Sequence, residues 1–336
     1  MGASALLTAP SWGMPLQNGA RPLVKPKRLK KGDTMGLVAP GFAIKAEVLQ
    51  KALESLEKMG FKPHHTPRIL GNYGYFSDSD EQRALDLNEM FADPKVDGIL
   101  CARGGYGCTR ILSLLDYEII RNNPKALIGF SDITALIQAI HKETGLVCFH
   151  GPVGSTLDDG YSQKYLKKVL VRGKGPLKLK NAKLEAEFLG NPEYDRYTIF
   201  PGSSEGSLIG GSLTLVASLV GTPHEIDFTD RIVFLEDVGE APYRMDRMLT
   251  QLIHGPTFSK AKGIIFGVCK DCDGEKKIDN FTLREVLMDR IAPLGIPAAY
   301  GMSFGHVPQN LTLPVGIRAL FDAGEMRLEL LEEAVL

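Results

Sequence analysis

The stretch "ALIGFSDITALIQAI", residues 126–140, decides the fold. It begins with an apolar run typical of a buried strand, and after Ser131 it continues with apolar residues at helical spacing. A serine at such a strand-to-helix turn has two interpretations. It can cap the helix by accepting a helix N–H, or it can be a nucleophile on a sharp turn that faces those N–H groups. The local sequence leaves both interpretations open.

The same alternation of short apolar runs and helical segments extends from Thr34 to Pro152. Runs such as "TMGLVAP" and "VDGILCA" are separated by segments such as "AEVLQKALESLEKM" and "DEQRALDLNEMF". Repeated strand–helix units predict an α/β fold whose N-terminal sheet is parallel and doubly wound. Ligands bind to such sheets beyond the carboxyl ends of the strands. Ser131 and the glycine-rich loop at 103–107 are therefore predicted to lie at one edge.

The length of 336 residues is typical of about two domains. The alternation is lost after residue 155, where Lys, Gly and Pro are scattered, and a mixed pattern begins near residue 204. We therefore predict a smaller mixed α/β domain in the C-terminal part, with the functional site at the interface of the two domains. The predicted units are a disordered tail or signal remnant (1–28), a nucleophile domain (29–155), a connector (156–203) and a C-terminal domain (204–336).

Charge and composition argue against several classes of protein. Lys and Arg (39) nearly balance Asp and Glu (40), so the chain lacks the broad positive charge that most nucleic-acid-binding proteins need. No apolar run approaches the ~20 residues of a membrane span. Five cysteines, an odd number, form no disulfide framework and fit a reducing compartment. We expect a cytoplasmic protein, or a periplasmic or exported one if "ASALL" in the tail is the remnant of a signal peptide.

A serine nucleophile needs a base, and histidine is suited to that role. Of the seven histidines, His150 in "FHGP" and His306 in "GMSFGHVPQN" are the two expected at strand exits. The apolar run "RIVFLEDVGE" ends at Glu236 and Asp237, and strand alternation directs one of them into the crevice and the other away. Ser131, Glu236 and His306 would form a triad that spans both domains. The alternative is a structural role for all three.

Two other motifs carry weaker signals. Cys269 and Cys272 have the spacing of a redox pair or of half a zinc site, but there is no second CxxC and no nearby pair of histidines. The glycines of "RGGYG" resemble a phosphate-binding loop but are not followed by Lys-Ser or Lys-Thr. We therefore expect neither a metal nor a cofactor.

Six stretches, in order along the chain, together resemble the LD-carboxypeptidase family, also called muramoyltetrapeptide carboxypeptidases. The resemblance implies a serine peptidase that works without a metal, with Ser131 as nucleophile, His306 as base and Glu236 as the orienting acid. It also implies an oxyanion hole formed by the backbone N–H groups of Asp132 and Gly105. The stretches are "LKKGDTMGLVAPG", "ARGGYG", "GFSDIT", "HGP", "VFLEDVGEAPYRMDRMLTQL" and "FGHVPQNLTLPVGIRALFD".

The resemblance also implies a substrate, a murein tetrapeptide from which the enzyme releases the C-terminal D-alanine during peptidoglycan recycling. It implies a homodimer as well. Two alternatives stay open: a peptidase of the microcin-immunity type, which belongs to the same family, and a non-catalytic protein that binds a small ligand. A carboxypeptidase must recognise a free chain end, and ordinary ion pairs are the alternative role for the basic candidates. The candidate substrate-binding residues are Arg103, Tyr106, Arg244 and Arg247.

Overall fold

The computed structural model describes residues 21–273 and 280–336. No helix in these ranges is both long and apolar enough to cross a membrane. The strands in these ranges are β1 (Thr34–Val38), β2 (Lys62–His64), β3 (Gly98–Cys101), β4 (Ala126–Gly129), β5 (Phe149–His150), β6 (Leu177–Leu179), β7 (Tyr197–Phe200), β8 (Ser203–Ser212), β9 (Arg231–Glu236), β10 (Gly263–Gly267), β11 (Ala298–Met302), β12 (Leu313–Pro314), β13 (Arg318–Asp322) and β14 (Arg327–Leu330). The α-helices are α1 (Ala46–Met59), α2 (Asp80–Ala92), α3 (Cys108–Ile111), α4 (Tyr117–Asn122), α5 (Thr134–Thr144), α6 (Gly160–Lys167), α7 (Leu213–Ser218), α8 (Pro242–His254) and α9 (Leu283–Ile291).

The first sheet has the strand order β12-β5-β4-β3-β1-β2. Strands β1 to β5 run parallel to one another, and β12 pairs antiparallel with β5 at one edge of the sheet. The parallel N-terminal sheet predicted from the alternating pattern is therefore confirmed. The order reverses between β1 and β3, and the loops that leave these strands open a crevice at that point.

The second sheet has the order β6-β14-β13-β8-β9-β10-β11-β7. Its central strands β8 to β11 are parallel, and antiparallel strands complete it on both sides. This mixed sheet confirms the mixed α/β character predicted for the C-terminal part. Its edge strands β6 and β7 both come from residues 156–203, the predicted connector. They are only three and four residues long, which is too short for a recognisable alternation.

The predicted tail lies only partly within the described residues. Residues 1–20 lie outside them, whereas residues 21–28 pack against the fold. The N–H of Val24 donates to the carbonyl of Gly145 at 2.9 Å, and the N–H of Arg28 donates to the carbonyl of Leu336 at 3.0 Å. The backbone of residues 21–28 is therefore held by the fold through long-range hydrogen bonds.

Helix α5, which begins three residues after Ser131, joins the two sheets. The side-chain amide of Gln138 donates to the carbonyl of Gly210 at 2.6 Å, and the N–H of Ser212 donates to Oγ1 of Thr134 at 3.1 Å. Gly210 and Ser212 lie on β8, which pairs with β9. The turn that carries Ser131 is thereby held beside the strand that ends at Glu236.

Candidate active site

Ser131 lies on the turn between β4 and α5. Its φ angle is 64°, in the left-handed region that residues other than glycine rarely adopt. Such a conformation costs roughly 1–3 kcal/mol and persists only where the surrounding structure imposes it. Its Oγ lies 3.0 Å from Nε2 of His306. A strained, partly exposed serine that faces an imidazole is the geometry of a nucleophile on a sharp turn.

His306 connects Ser131 to a buried acid. It lies in the loop after β11, and its Nδ1 lies 2.7 Å from Oε2 of Glu236, which is fully buried at the end of β9. An ionised carboxylate only accepts hydrogen bonds, so Nδ1 of His306 carries the hydrogen and donates a hydrogen bond to Glu236. Nε2 is then left as the acceptor for the hydroxyl of Ser131.

The charges of His306 and Glu236 stabilise each other. Burial alone would raise the pKa of Glu236, but the charge and hydrogen bond of His306 bring it below its ordinary value. Burial lowers the pKa of His306, but the charge and hydrogen bond of Glu236 raise it above its ordinary value. The pair therefore combines an ionised carboxylate with an imidazole of increased proton affinity.

Asp237 follows Glu236 and points away from the site. Its Oδ2 accepts hydrogen bonds from the N–H and the hydroxyl of Thr214, both at 2.8 Å. Burial raises the pKa of Asp237 to about 6. Of the two acids at the end of β9, Glu236 lies at the site, whereas Asp237 binds Thr214 at the start of α7. The two side chains thus point in different directions, as strand alternation predicts.

The glycine-rich loop lies directly against Ser131. A Cβ on Gly104 would lie 3.0 Å from Cβ of Ser131, so a side chain has little room there. The N–H of Phe42 donates to the carbonyl of Gly104 at 3.2 Å. Because the C=O and N–H of a trans peptide point in opposite directions, this bond turns the N–H of Gly105 away from Phe42.

The side chain of Asp132 ties the turn at Ser131 to this loop. Its Oδ2 accepts the N–H of Cys108, the first residue of α3, at 2.9 Å. Asp132 is buried, and burial raises its pKa. Asp132 thus links the turn after β4 to the start of α3, which follows the glycine-rich loop.

Two of the candidate substrate-binding residues lie on this loop. Arg103 is exposed, with its guanidinium 5.6 Å from the ring centre of Phe42. Tyr106 is also exposed, and its ring centre lies 6.1 Å from that of Tyr75. Both side chains are therefore accessible beside the segment that contacts Ser131.

The other two candidates lie on α8. Arg244 is exposed and contacts Tyr243 and Glu240 at 3.1 and 3.5 Å. Arg247 is exposed as well. Within residues 21–273 and 280–336, neither arginine forms a hydrogen bond or ion pair with Ser131, Glu236 or His306.

Cys269 and Cys272 are free, buried thiols. Burial raises both pKa values, that of Cys272 to about 12, so both are protonated at neutral pH. In the part of the chain that the structure describes, no three His, Cys, Asp or Glu residues are grouped so that they could hold a metal. These protonated thiols are poor ligands and poor nucleophiles.

Two family models match the chain. The LD-carboxypeptidase N-terminal domain matches residues 35–151, and the LD-carboxypeptidase C-terminal domain matches residues 205–321. Together these ranges cover more than half of the sequence. The chain belongs to the LD-carboxypeptidase family. The resemblance predicted from six stretches is confirmed, and membership of the LD-carboxypeptidase family makes the protein a peptidase.

Named relatives and solved structures within the LD-carboxypeptidase family cover nearly the same length. The probable murein peptide carboxypeptidase of Bacillus subtilis strain 168 is 39% identical over 306 residues, which is 90% of this chain and 92% of the relative. The murein tetrapeptide carboxypeptidase of Pseudomonas aeruginosa PAO1 is 31% identical and covers 87% and 94%. The crystal structure of an MccF-like protein from Bacillus anthracis superimposes with a TM-score of 0.82 at 28% identity, covering 92% of this chain and 99% of the other.

Asn310 helps to hold the loop of His306 in this LD-carboxypeptidase, and the sequence analysis did not identify it. Its Oδ1 accepts the N–H of Gly305 at 3.2 Å, and its own N–H donates to Oγ of Ser162 at 2.9 Å. In "FGHVPQN" an asparagine stands two residues after a proline, a pattern that indicates a turn in which the asparagine side chain bonds to nearby backbone. The sequence could not show that its partner is a serine 148 residues away.

Proposed function

We propose that this LD-carboxypeptidase is a serine peptidase that releases the C-terminal D-alanine from murein tetrapeptides. The observation that carries the proposal is the line of contacts from Ser131 through His306 to Glu236, at 3.0 and 2.7 Å. The names of the relatives from B. subtilis and P. aeruginosa support the choice of murein peptides as the substrate class.

In the proposed mechanism, Oγ of Ser131 attacks the carbonyl carbon of the scissile peptide bond while its proton moves to Nε2 of His306. Glu236 stabilises the imidazolium that forms. When the tetrahedral intermediate collapses, the C–N bond breaks and His306 gives its proton to the amine of the departing D-alanine. Water then attacks the acyl-enzyme with His306 again as base, which restores the hydroxyl of Ser131.

We propose that the N–H groups of Asp132 and Gly105 bind the oxyanion of this intermediate. Such donors lower the barrier when they are held in place before the reaction. The side chain of Asp132 helps to hold the donors in place. Its carboxylate accepts the N–H of Cys108, and this bond links the two segments that carry the donors. The close approach of Gly104 to Ser131 supports the proposal, because it brings the segment of Gly105 next to the proposed nucleophile.

We propose Arg103 as the partner of the substrate's terminal carboxylate. A guanidinium binds a carboxylate with two parallel hydrogen bonds, which would limit cleavage to the last residue. Arg103 is exposed and adjoins Gly104, which packs on Ser131. Arg244 and Arg247, both exposed on α8, are the alternative partners of that carboxylate.

The family resemblance further supports two proposals about the protein's state in the cell. We propose that it forms a homodimer and that it works in the cytoplasm, where recycled murein peptides would be processed. Sedimentation of the purified protein measures the first, and cell fractionation measures the second.

The substrate proposal predicts release of D-alanine from a tetrapeptide that ends in L-diamino acid–D-alanine. A fixed serine and rigid oxyanion donors accept only a carbonyl whose neighbours fit the crevice, so the D-Ala–D-Ala bond of a pentapeptide is expected to stay intact. Mass spectrometry of defined tri-, tetra- and pentapeptides incubated with the purified protein identifies the products.

Three further arms of that assay test the alternatives. Dialysis against EDTA is expected to leave activity unchanged, and activity lost to EDTA and restored by zinc would contradict the serine mechanism. Hydrolysis of an acyl-sulfamoyl nucleoside, with no hydrolysis of the tetrapeptide, would favour the microcin-immunity type. Binding of the tetrapeptide without any product would favour a non-catalytic binding protein.

Gly305→Ala is predicted to lower kcat about 100-fold, the cost typical of a misplacement of about 1 Å. Gly305 has a φ angle of 109°, and a Cβ there would lie 2.7 Å from Oε2 of Glu236. The alanine must therefore displace the carboxylate that holds His306. The measurement is kcat on the tetrapeptide together with thermal unfolding.

Gly32→Ala is the matched control for this variant. Gly32 has a similar φ angle of 92°, but a Cβ there meets no atom within 4 Å. It introduces comparable backbone strain away from the site, so it is expected to lower stability and leave kcat unchanged. Equal kcat values for the two variants would show that Gly305 does not act through Glu236.

A further inference from the structure

Arg83 is a buried arginine behind the loops that border the proposed active site. It lies on α2, and its side chain is fully buried. Burial of a charged group is costly unless hydrogen bonds and an opposite charge compensate for the lost water. The mechanism proposed above gives this residue no role, so its presence has to be explained by the contacts of its guanidinium.

The guanidinium of Arg83 joins the two loops that leave β1 and β3, where the strand order reverses. Its Nη1 donates to the carbonyl of Pro40, in the loop after β1, and to the carbonyl of Gly107 at 3.2 Å, in the glycine-rich loop after β3. Its Nη2 donates to the carboxylate of Asp80, which supplies the opposite charge. The ring of Phe76 covers the guanidinium, with its centre 4.4 Å from Cζ. One side chain thus holds both loops.

The peptide group between Gly107 and Cys108 is held at both ends. Its carbonyl accepts from Arg83 at 3.2 Å, and its N–H donates to Oδ2 of Asp132 at 2.9 Å. Because a peptide group is planar, these two bonds fix its orientation. Gly107 has a φ angle of 121°, and a Cβ there would lie 2.9 Å from Nη1 of Arg83, so the glycine lets the guanidinium approach. The end of the glycine-rich loop is therefore fixed relative to the turn of Ser131.

The contact of Arg83 with Pro40 acts on the middle of the same loop. Pro40 lies two residues before Phe42, whose N–H donates to the carbonyl of Gly104 at 3.2 Å. That carbonyl and the N–H of Gly105, the proposed oxyanion donor, belong to one peptide group, so the bond sets the direction of the donor. Arg83 therefore supports this peptide group from two sides, through the loop after β1 and through the end of the glycine-rich loop.

The chemistry of the guanidinium explains why an arginine occupies position 83. A guanidinium is planar and carries five N–H donors in a fixed fork, so one side chain can bind two carbonyls and a carboxylate together. A lysine ammonium keeps the charge but does not match this planar arrangement. An apolar side chain would fill the space and leave both carbonyls without this donor.

We propose that Arg83 is a positioning residue for the oxyanion hole: its guanidinium joins the loops after β1 and β3 and so holds the N–H of Gly105 in the direction in which it binds the oxyanion. The proposal rests on the proposed serine mechanism. It implies that Arg83 supports binding of the tetrahedral intermediate and not binding of the planar substrate. Loss of its hydrogen bonds should therefore slow the reaction of Ser131 without weakening the binding of peptides.

The kinetic test compares Arg83→Met, which keeps a long side chain without donors, with Arg83→Lys, which keeps the charge. Arg83→Met is expected to lower kcat about 10- to 100-fold, with KM changed less than about threefold, because a misplacement of about 1 Å costs about 100-fold in rate. A serine-directed phosphonate should label Ser131 more slowly by a similar factor, because the tetrahedral adduct places an oxygen in the oxyanion hole. Arg83→Lys, which cannot bind both carbonyls at once, should lose about 3- to 10-fold.

Three other readouts separate this role from a general loss of structure. The affinity for the tripeptide product, measured by calorimetry, should stay unchanged in Arg83→Met. The acidic limb of the pH profile should stay in place, because the pair of His306 and Glu236 is not altered. In NMR spectra of glycine-labelled protein, the amide resonance of Gly105 should shift, because its peptide group loses support.

Arg68→Met is the matched control. Arg68 lies in the turn before α2 and donates to Asp86 at 2.7 Å and to Glu89 at 2.6 Å, both on that helix. These ion pairs do not involve the glycine-rich loop, so the control is expected to lose stability and to keep kcat, the labelling rate and the Gly105 resonance. All variants are assayed at a temperature at which circular dichroism shows them folded.

A folded Arg83→Met protein with the kcat and labelling rate of Arg68→Met would overturn the proposal, as would an affinity for the tripeptide that falls in step with kcat. If Arg83→Met does not fold, Arg83→Lys is measured in the same way, and a wild-type kcat in that variant would overturn the proposal. If wild-type protein neither cleaves the tetrapeptide nor takes the phosphonate, the serine mechanism fails, while the Gly105 resonance still decides whether Arg83 holds the loop.

Discussion

Replacement of Ser131 by alanine is expected to lower turnover of the murein tetrapeptide by roughly 10³-fold or more, with the protein still folded. His306→Ala is expected to have a comparable effect. In the proposed mechanism Ser131 supplies the attacking oxygen and His306, 3.0 Å away, supplies the base, so the loss of either one would remove the acyl-enzyme route. The measurement is kcat/KM by chromatographic detection of released D-alanine, with circular dichroism to verify folding.

Ser218→Ala is a matched control for the serine variant, because Ser218 is exposed on α7 and its hydroxyl donates to the carbonyl of Thr214 at 2.7 Å. It should keep wild-type turnover. A serine-directed phosphonate gives a second readout, since intact-mass analysis should show one adduct on wild-type protein and none on Ser131→Ala. Near-normal turnover by a folded Ser131→Ala protein would remove this residue from the mechanism.

Glu236→Gln is expected to lower turnover by roughly 10³- to 10⁴-fold, because an amide no longer fixes the tautomer of His306 or stabilises its charged form. It should also shift the pH profile. In the proposed mechanism activity needs neutral His306, so we expect the wild-type rate to fall as the pH drops through the pKa of His306, which Glu236 holds above the ordinary value. Without that charge the pKa falls, and the acidic limb of kcat/KM moves to lower pH.

The chain offers a second carboxylate–histidine pair as the control. Glu143 lies 3.5 Å from Nδ1 of His224, at the end of α5 and away from the triad. Glu143→Gln should leave both kcat and the acidic limb unchanged. An acidic limb at the same pH in Glu236→Gln as in wild-type protein would show that the limb reports a group other than His306.

The three residues of the proposed triad were candidates because each lies at or after the end of an apolar strand-like run, and the family resemblance selected them from the alternatives. Ser131 follows "ALIGF", Glu236 ends "RIVFLE", and His306 stands between glycine and valine in a loop after an apolar run. The carboxyl ends of parallel strands meet at one edge of a sheet, which accounts for the closeness of Glu236 and the loop of His306 in the second sheet, whereas Ser131 follows a strand of the first. The parallel N-terminal sheet was predictable from the alternation of strands and helices.

Residues whose roles depend on distant partners were not predictable. His150 and His306 both stand at strand exits, and the local pattern does not tell a buried, neutral imidazole from one that faces a serine. Their difference comes from the phenylalanines that enclose His150, which belong to three separate strands or loops. Strand β12 was not predictable either, because its two residues come from the C-terminal part of the chain but pair with β5 in the first sheet.

The order in which the chain is made separates Ser131, the proposed nucleophile, from His306, its proposed base. Ser131 and His306 stand 175 residues apart, and β12, which borders the first sheet, follows His306. As the chain leaves the ribosome, Ser131 and its glycine-rich loop are synthesised long before the imidazole of His306. In the proposed mechanism a chain that terminates before residue 306 holds a nucleophile with no base, so truncated translation products are expected to lack peptidase activity.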